Sequence, residues 1–181
     1  MQIPSIFTNP NSSLYDPYRD PRHQPPATID LEYDRAQGDL PNYIPRCAEE
    51  QIKLNLYTMH RTMYRNGNTN TLFHGGPFRG GDIPPDSKED QSKSSGSIER
   101  SPHNIVHVWC GDPNQLDRKD MGHFYSSGRD PLFYALHGNV DRMWSIWKTL
   151  GGKRRDPTDR DWLESAFVFY DENKNLVKVK V

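Results

Sequence analysis

The sequence predicts a mainly α-helical protein with long loops and a short C-terminal β-hairpin. Three features indicate this fold class: an apolar stripe at helical spacing, two helix starts with a proline in the first turn, and two short apolar runs around a polar turn. The first two features predict helices in the body of the chain. The third predicts a hairpin at its C-terminal end.

The N-terminal half is expected to contain one amphipathic helix between stretches of irregular structure. Residues 1–46 are rich in Pro, Asn, Asp and Tyr, which favour turns and ordered coil. The stretch from Cys47 to Arg65 predicts a helix that ends at Asn66-Gly67. Its apolar stripe consists of Ile52, Leu56, Met59 and Met63. The Gly-, Pro- and Ser-rich stretch from Gly75 to Ser97 predicts a long surface loop.

Two predicted helices bring three histidines toward one point. Ser101 as N-cap and Pro102 at the first position begin a short helix, with His103 and His107 one turn apart on the same face. Asp130 and Pro131 begin the next helix in the same way. That helix carries His137 in its second turn and ends at the glycines 151 and 152. Three neutral imidazoles with an open position suit copper, zinc, iron or nickel, and the pattern alone does not choose among them.

After a charged linker, KRRDPTDRD, the periodicity changes from helical to alternating. Ala166–Tyr170 and residues 176–181 predict two strands around the polar turn from Asp171 to Asn175. The sequence stops within the second predicted strand, without a closing turn. We therefore expect this chain to be a piece of a longer protein.

Composition limits the classes of function. The 181 residues carry a net charge of −1, so no basic excess points to nucleic acid or an anionic membrane surface. No apolar run approaches the roughly 20 residues of a spanning helix, so no membrane insertion is expected. Only 33% of residues are hydrophobic, and the mean hydropathy is −0.94. Such values are low for a self-sufficient globule, which suggests that a missing segment completes the core.

Several ordered motifs identify a family resemblance. HNIVHVW, DMGHFYSSGRDPLFYALHGNVDRMW, the tripeptide DWL and the N-terminal LYDPYRDPRHQPP together resemble plant polyphenol oxidases, the catechol oxidase and tyrosinase family of type-3 copper enzymes. The resemblance covers nearly the whole chain. It implies part of a four-helix-bundle copper domain over residues 1–152, and the start of the DWL-type C-terminal region over residues 153–181. The first-copper region should lie upstream of Met1 and is absent here.

The resemblance also implies a metal and its ligands. His103, His107 and His137 stand at the ligand positions of the second copper. The parent enzyme would hold two copper ions, of which this chain would ligate one. The other histidines, His23, His60, His74 and His123, stand outside the first-copper motif. His60 and His74 are expected to be ordinary packed or surface residues, although His74 is weighed as a fourth ligand.

Three further residues match functional positions of the family. Glu99 matches an acidic residue that holds a water near the coppers and can act as a general base; alternatively, it is a helix-start acid. Asn104 matches an asparagine that helps to orient the same water and is associated with monophenol hydroxylation; alternatively, it is a polar first-turn residue. Phe124 matches a bulky substrate-binding gate over the first copper; alternatively, it is a core residue.

Two positions depart from the family pattern. Leu136 replaces the first of two adjacent histidines. We therefore expect an apolar side chain beside the substrate pocket, where the family has a polar one. Cys110 stands where threonine is common. Neither Cys110 nor Cys47 matches the cysteines of the family's disulfides or thioether, so each is expected to be a buried free thiol.

By resemblance, the parent enzyme oxidises o-diphenols to o-quinones and reduces dioxygen, and activity on monophenols stays open. Its partners would be a phenol, dioxygen and the missing first-copper half, and its location the thylakoid lumen of the plastid. Two alternatives remain: an inactive remnant that binds one metal ion, and a haemocyanin-like oxygen carrier. The isolated chain is expected to be inactive and to fold poorly, because part of its apolar surface lacks partners. These residues are Ile52, Leu56, Leu136, Val140 and Trp144.

Overall fold

The computed structural model describes residues 2–76 and 95–181. Its α-helices are, in order, α1 (Arg35–Gly38), α2 (Ala48–His60), α3 (Asn70–His74), α4 (Ile105–Cys110), α5 (Leu132–Thr149) and α6 (Arg160–Leu163). The strands β1 (Ala166–Tyr170) and β2 (Leu176–Lys180) follow. Single 3-10 turns occur at Ser5–Phe7, Pro21–His23, Leu116–Arg118 and Ser127–Arg129. The mainly helical fold with a C-terminal hairpin is confirmed, whereas the surface loop predicted between Gly75 and Ser97 lies mostly outside the described residues.

Helix α2 and the π-helical turn that follows it, Arg61–Asn66, match the predicted helix but bury a different face. Ile52 and Leu56 are 43% and 67% exposed. The buried side chains are instead polar and recur at helical spacing: Gln51, Asn55, Thr58 and Thr62. The exposure of Ile52 and Leu56 agrees with the expectation that these two residues lack partners in this chain.

The polar face of α2 is buried because its side chains hydrogen-bond to the backbone of a coil segment, residues 29–31, that has no partner strand. The amide of Asn55 donates to the carbonyl of Ile29 (2.6 Å), and its oxygen accepts from the backbone N–H of Leu31 (3.1 Å). Gln51 donates to Asp30 (3.0 Å) and to Asn55 (3.0 Å). Side-chain amides thus provide the hydrogen bonds that a neighbouring strand would otherwise supply.

Helices α4 and α5 form the centre of the larger apolar cluster. Val106, Trp109 and Cys110 of α4 pack with Leu132 and Leu136 of α5. Residues from the N-terminal segment complete the cluster: Ile3, Ile29, Leu31 and Tyr33. The N-terminal segment, residues 2–34, therefore covers the two helices that carry the histidines.

The starts of these two helices differ in their capping. Asp130 caps α5 as predicted, because its Oδ1 accepts from the backbone N–H of Leu132 at 2.7 Å. Ser101 has the extended backbone of an N-cap (φ −152°, ψ 129°) within the distorted turn Glu99–Asn104 that precedes α4. Its hydroxyl, however, donates to the carbonyl of Leu31 at 2.9 Å. Ser101 therefore joins the helix start to the N-terminal coil and does not provide the predicted side-chain cap.

A second apolar cluster lies toward the C-terminal end of α5. Trp147 is fully buried, stacks on Phe73 with ring centroids 4.3 Å apart, and donates from Nε1 to the carbonyl of Gly67 at 2.5 Å. Met143 and Ile98 complete its buried part. Val140 and Trp144, which we expected to lack partners, pack partly buried against this cluster. This packing fixes the direction of α5 from the end opposite its cap.

The C-terminal hairpin is antiparallel, with Phe167 opposite Val179 and Phe169 opposite Val177. These side chains share one face of the two-stranded sheet, because alternate residues point to the same side. Phe167 and Phe169 remain more than half exposed. Across the described ranges, 2–76 and 95–181, no helix is both long and apolar enough to cross a membrane.

Candidate metal centre

The structure brings His103, His107 and His137 together. The rings of His103 and His107 lie one helical turn apart, with centroids separated by 4.8 Å. The Nε2 atoms of His103 and His137 are 3.0 Å apart. One nitrogen from each of the three residues falls within 4.8 Å of the others. The described residues contain no other group of three or more His, Cys, Asp or Glu side chains arranged to hold a metal ion.

Each of the three rings has an oxygen acceptor at its other nitrogen. His103 Nδ1 pairs with the side-chain oxygen of Asn104 (2.8 Å). His107 Nδ1 pairs with the carbonyl of Met121 (2.8 Å), and His137 Nδ1 with the carbonyl of Phe133 (2.7 Å). An oxygen acceptor favours the tautomer with the proton on Nδ1, which leaves the Nε2 lone pair available for a metal.

The protonation of the rings also favours metal binding. Burial lowers the pKa of His107 to about 4, and the hydrogen bond from its Nδ1 only partly opposes this. Burial likewise lowers the pKa of His103, while Asn104 and the charge of Glu99 oppose the shift. Because a metal binds neutral imidazole, both rings are in the binding form at neutral pH without competition from protons.

The donor set fits a borderline transition metal. Two nitrogens on one ion, each about 2.0–2.1 Å from it, are expected to lie about 3 Å apart, which matches the separation of the His103 and His137 nitrogens. Three imidazoles without a carboxylate or a thiolate suit copper, zinc, iron or nickel, whereas magnesium and calcium prefer oxygen.

Two contacts of the site were not predicted from the sequence. The ring of Phe133 lies 3.9 Å from that of His137 and 5.8 Å from that of His107, centroid to centroid. Phe133 precedes His137 by four residues, and this spacing is a usable sequence signal, because such residues share a helical face. The carbonyl of Met121 has no comparable signal, since its contact depends on the path of the loop between α4 and α5.

The other predicted site residues lie in three different environments. Glu99 is half-buried in the turn before α4, near enough to His103 for its charge to affect the pKa of that ring. Asn104 is exposed and contacts His103 directly. Phe124 is 86% exposed and meets Tyr125 edge to face, with centroids 5.3 Å apart, so it is not a core residue here.

Leu136, which was expected to lack packing partners in this chain, has them. It is buried in the apolar cluster of α4 and α5, and it lines an open apolar groove of about 610 Å³ together with Val106 and Cys110. It therefore belongs to the packing face of α5, adjacent to the face that carries His137.

Both cysteines are free thiols. Cys110 is buried as expected, and burial raises its pKa. The expectation that Cys47 is buried is wrong, because Cys47 is exposed immediately before α2.

The remaining histidines lie outside the cluster. His23 is buried, with its ring stacked on that of Trp109 at 4.3 Å. His60 is exposed and stacks on Tyr64. His74 packs edge-on to Trp144 in the second apolar cluster, so the structure does not bring it to the other three as a fourth ligand.

Comparison with known families gives two matches. Residues 2–150 match the common central domain of tyrosinase. Residues 156–181 match the polyphenol oxidase middle domain. Together the two matches cover nearly the whole chain.

Individual relatives agree with these matches. Polyphenol oxidase A1 of Vicia faba is 51% identical over 181 residues, covering 100% of this chain and 28% of that protein. Aureusidin synthase of Antirrhinum majus is 49% identical over 182 residues, covering 100% of this chain and 30% of the relative. The chain thus spans less than a third of the length of these curated relatives.

Solved structures give the same result for the fold. Latent apple tyrosinase superposes with a TM-score of 0.85 at 50% identity, covering 99% of this chain and 36% of the other. The polyphenol oxidase of Grenache grape (Vitis vinifera) superposes with a TM-score of 0.84 at 46% identity, covering 99% of this chain and 49% of the other. This chain therefore has the fold of part of a helical type-3 copper protein.

Proposed function

Because this chain belongs to the tyrosinase family, among the plant polyphenol oxidases, we propose that it supplies the second-copper half of an o-diphenol oxidase. His103, His107 and His137 would hold one copper ion, and the first-copper half of the longer protein would hold the other. The observation that carries this proposal is the convergence of three imidazoles, each with an oxygen acceptor at Nδ1. Such acceptors commonly orient histidine ligands for a metal.

The reaction is the oxidation of two o-diphenols to two o-quinones while one dioxygen is reduced to two waters. Each o-diphenol gives up two electrons and two protons, so the four electrons and four protons balance those that dioxygen takes up. Copper would supply the binding of dioxygen and the transfer of electrons to it, which no side chain of the chain can provide. In this family, an asparagine at the position of Asn104 is associated with the additional hydroxylation of monophenols.

The protein's own groups would position the substrate and accept its protons. Glu99 is a half-buried carboxylate near His103 and could accept a phenolic proton through a water. Asn104 contacts Nδ1 of His103 through its side-chain oxygen, and its amide N–H₂ could donate to the same water. Phe133 covers one face of His137 and keeps water from that side of the site.

Phe124 would act as the substrate gate. Its ring is exposed and has Tyr125 as its aromatic neighbour, so it is free to stack on a phenol. Because the Phe124 side chain is exposed, the free-energy cost of rotating it when a planar substrate enters is small.

The proposed location is the plastid, in the thylakoid lumen. The relatives from Vicia faba, Prunus armeniaca and Malus domestica are named as chloroplastic, which supports the plastid. The assignment to the lumen, rather than to another compartment of the plastid, rests on the family resemblance alone.

The test is oxygen uptake with a catechol, using the full-length protein that contains this sequence. His107→Ala should abolish uptake, whereas the matched control His60→Ala should retain it, because His60 is exposed on α2. Equal uptake by both variants would refute the site. The isolated 181-residue chain, loaded with copper, should produce no more quinone than the same amount of free copper.

The same assay separates the two alternatives. An oxygen carrier would bind dioxygen stoichiometrically and show no sustained uptake with catechol. A metal-binding remnant would be indicated if the wild-type full-length protein held one copper and gave no turnover. Sustained turnover would exclude both.

A further inference from the structure

Arg19 contacts the ends of both helices that carry the three histidines. Its backbone forms an antiparallel bridge with Gly111, the residue after α4. The next backbone N–H, that of Asp20, donates to the carbonyl of Cys110 at 2.9 Å. The side chain of Arg19 reaches instead to Asp130, at the start of α5. A single position in the N-terminal coil thus joins the end of one ligand helix to the beginning of the other.

The Arg19–Asp130 pair is bidentate and buried. Nε of Arg19 donates to Oδ2 of Asp130 at 2.8 Å, and Nη2 donates to Oδ1 at 2.6 Å. The two side chains are 1% and 0% exposed. Two further N–H groups of the guanidinium donate to the carbonyls of Phe7 and Leu14. Because both charged groups are buried and are joined by two parallel hydrogen bonds, the pair has one strongly preferred geometry.

Asp130 also hydrogen-bonds to the first turn of α5, so the ion pair restricts the position of that helix start. The oxygen that accepts from Nη2 of Arg19 also accepts from the backbone N–H of Leu132, in the first turn of the helix. His137 follows five residues later on the same rigid helix. The start of α5 is therefore fixed relative to the end of α4 by directional bonds.

The ion pair adds a directional constraint to the apolar packing between the two helices. Val106 of α4 belongs to the same buried cluster as Leu132 and Leu136 of α5, and a forked ion pair opposes sliding more strongly than apolar contact alone. A metal site needs its ligands placed within about 0.5 Å. A directional link between the helices is therefore suited to hold the nitrogens of His103 and His137 at their separation of 3.0 Å.

We propose that Arg19 is a positioning residue for the metal site. Through Asp130 it fixes the start of α5 against the end of α4, and so holds His137 beside His103 and His107. Arg19 touches neither the metal nor the substrate. This inference rests on the proposed function, because it requires that the three histidines bind copper.

The test compares Arg19→Lys with a control, Arg46→Lys, in the full-length protein that contains this sequence. Lysine keeps the charge but loses the fork that fits a carboxylate. Arg46 pairs with Asp30 at 3.2 Å and with Gln51 at 3.4 Å, and neither partner belongs to α4 or α5. The measurements are the copper dissociation constant, from competition with a chromophoric chelator, the Cu(II) electron paramagnetic resonance spectrum, and the thermal unfolding midpoint of the metal-free protein.

Arg19→Lys should raise the dissociation constant for copper about tenfold or more, as losing an outer support of a metal site typically does, and should change the Cu(II) spectrum. Arg46→Lys should leave both unchanged. A lower unfolding midpoint for Arg19→Lys with an unchanged dissociation constant and spectrum would overturn the inference, because the pair would then only stabilise the fold.

Further outcomes separate this inference from the proposed function. A wild-type chain that does not bind copper would refute the metal site itself. If Arg19→Lys does not fold, Asp130→Asn decides, because asparagine keeps an oxygen acceptor for the N–H of Leu132 but loses the ion pair. Unchanged copper binding by Asp130→Asn would overturn the role of Arg19. Loss of folding in both variants would overturn it as well, since the pair would then be required by the whole fold.

Discussion

Replacing Asn104 with leucine should weaken copper binding with little effect on stability. Leucine has nearly the shape of asparagine but lacks the oxygen that pairs with Nδ1 of His103 at 2.8 Å. The ring of His103 could then rotate or adopt the tautomer with its proton on Nε2, the nitrogen that faces His137. Both changes reduce the fraction of molecules in which all three histidines present an unprotonated nitrogen to the metal.

The magnitude follows from the position of the contact. Loss of an outer partner of a histidine ligand typically costs 10–100-fold in metal affinity. Asn104 is exposed, so water can replace part of the lost hydrogen bond, and the lower end of that range applies. We expect an increase in the dissociation constant of about tenfold, or about 1.4 kcal/mol. The free energy of unfolding should change by no more than about 0.5 kcal/mol, as for other surface substitutions.

The assay is competition for copper between the chain and a chromophoric chelator at neutral pH. Asn104→Asp is the matched control, because a carboxylate oxygen can still accept from Nδ1 of His103. It should bind copper at least as tightly as the wild type. A dissociation constant for Asn104→Leu within twofold of the wild-type value would refute the reasoning, since the Asn104 contact would then have no influence on the ligand.

Three other predictions concern packing, protonation and the gate. Trp147→Phe should lower the free energy of unfolding by about 1–3 kcal/mol in denaturant titrations, because it leaves the carbonyl of Gly67 buried without its donor; an unchanged value would contradict this. Burial lowers the folded-state pKa of His23, so its contribution to stability is complete above the unfolded pKa of about 6.5 and is lost as pH falls through the lower folded value. His23→Phe, which keeps a ring stacked on Trp109, should therefore reduce the loss of stability between neutral and acidic pH, and an identical pH profile would count against it. Phe124→Ala should leave the unfolding free energy within about 0.5 kcal/mol of the wild type, because the ring is exposed, while raising the KM for catechol in the full-length protein; a clear loss of stability or an unchanged KM would argue against the gate.

The sequence was sufficient for the parts of the fold that local signals specify. The prolines 102 and 131 and the cap Asp130 located both ligand helices, and the spacing of His103 and His107 placed both rings on one helical face. The hairpin followed from the change to alternating residues. Each of these signals acts within a few residues, so no knowledge of the tertiary structure was needed.

Features that depend on distant parts of the chain could not be predicted in this way. The polar face of α2 is buried because the backbone of residues 29–32 needs partners, and hydrophobic spacing carries no information about that need. The pairing of Arg19 with Asp130 spans 111 positions and has no local signature. The Met121 carbonyl at His107 depends on the path of a loop. Leu136 was expected to lack packing partners, yet it is buried by residues of α4 and of the N-terminal segment, which are distant in the sequence.

The most direct test of the metal site is a copper count by native mass spectrometry. The metal-free full-length protein that contains this sequence would be incubated with a small excess of copper and desalted before measurement, alongside a variant in which His103, His107 and His137 are all alanine. A second variant, with alanine at His60 and His123, controls for other surface histidines. The account predicts two tightly held copper ions for the wild type and for the control variant, and one for the triple variant. Equal copper in all three samples, or none in the wild type, would contradict it.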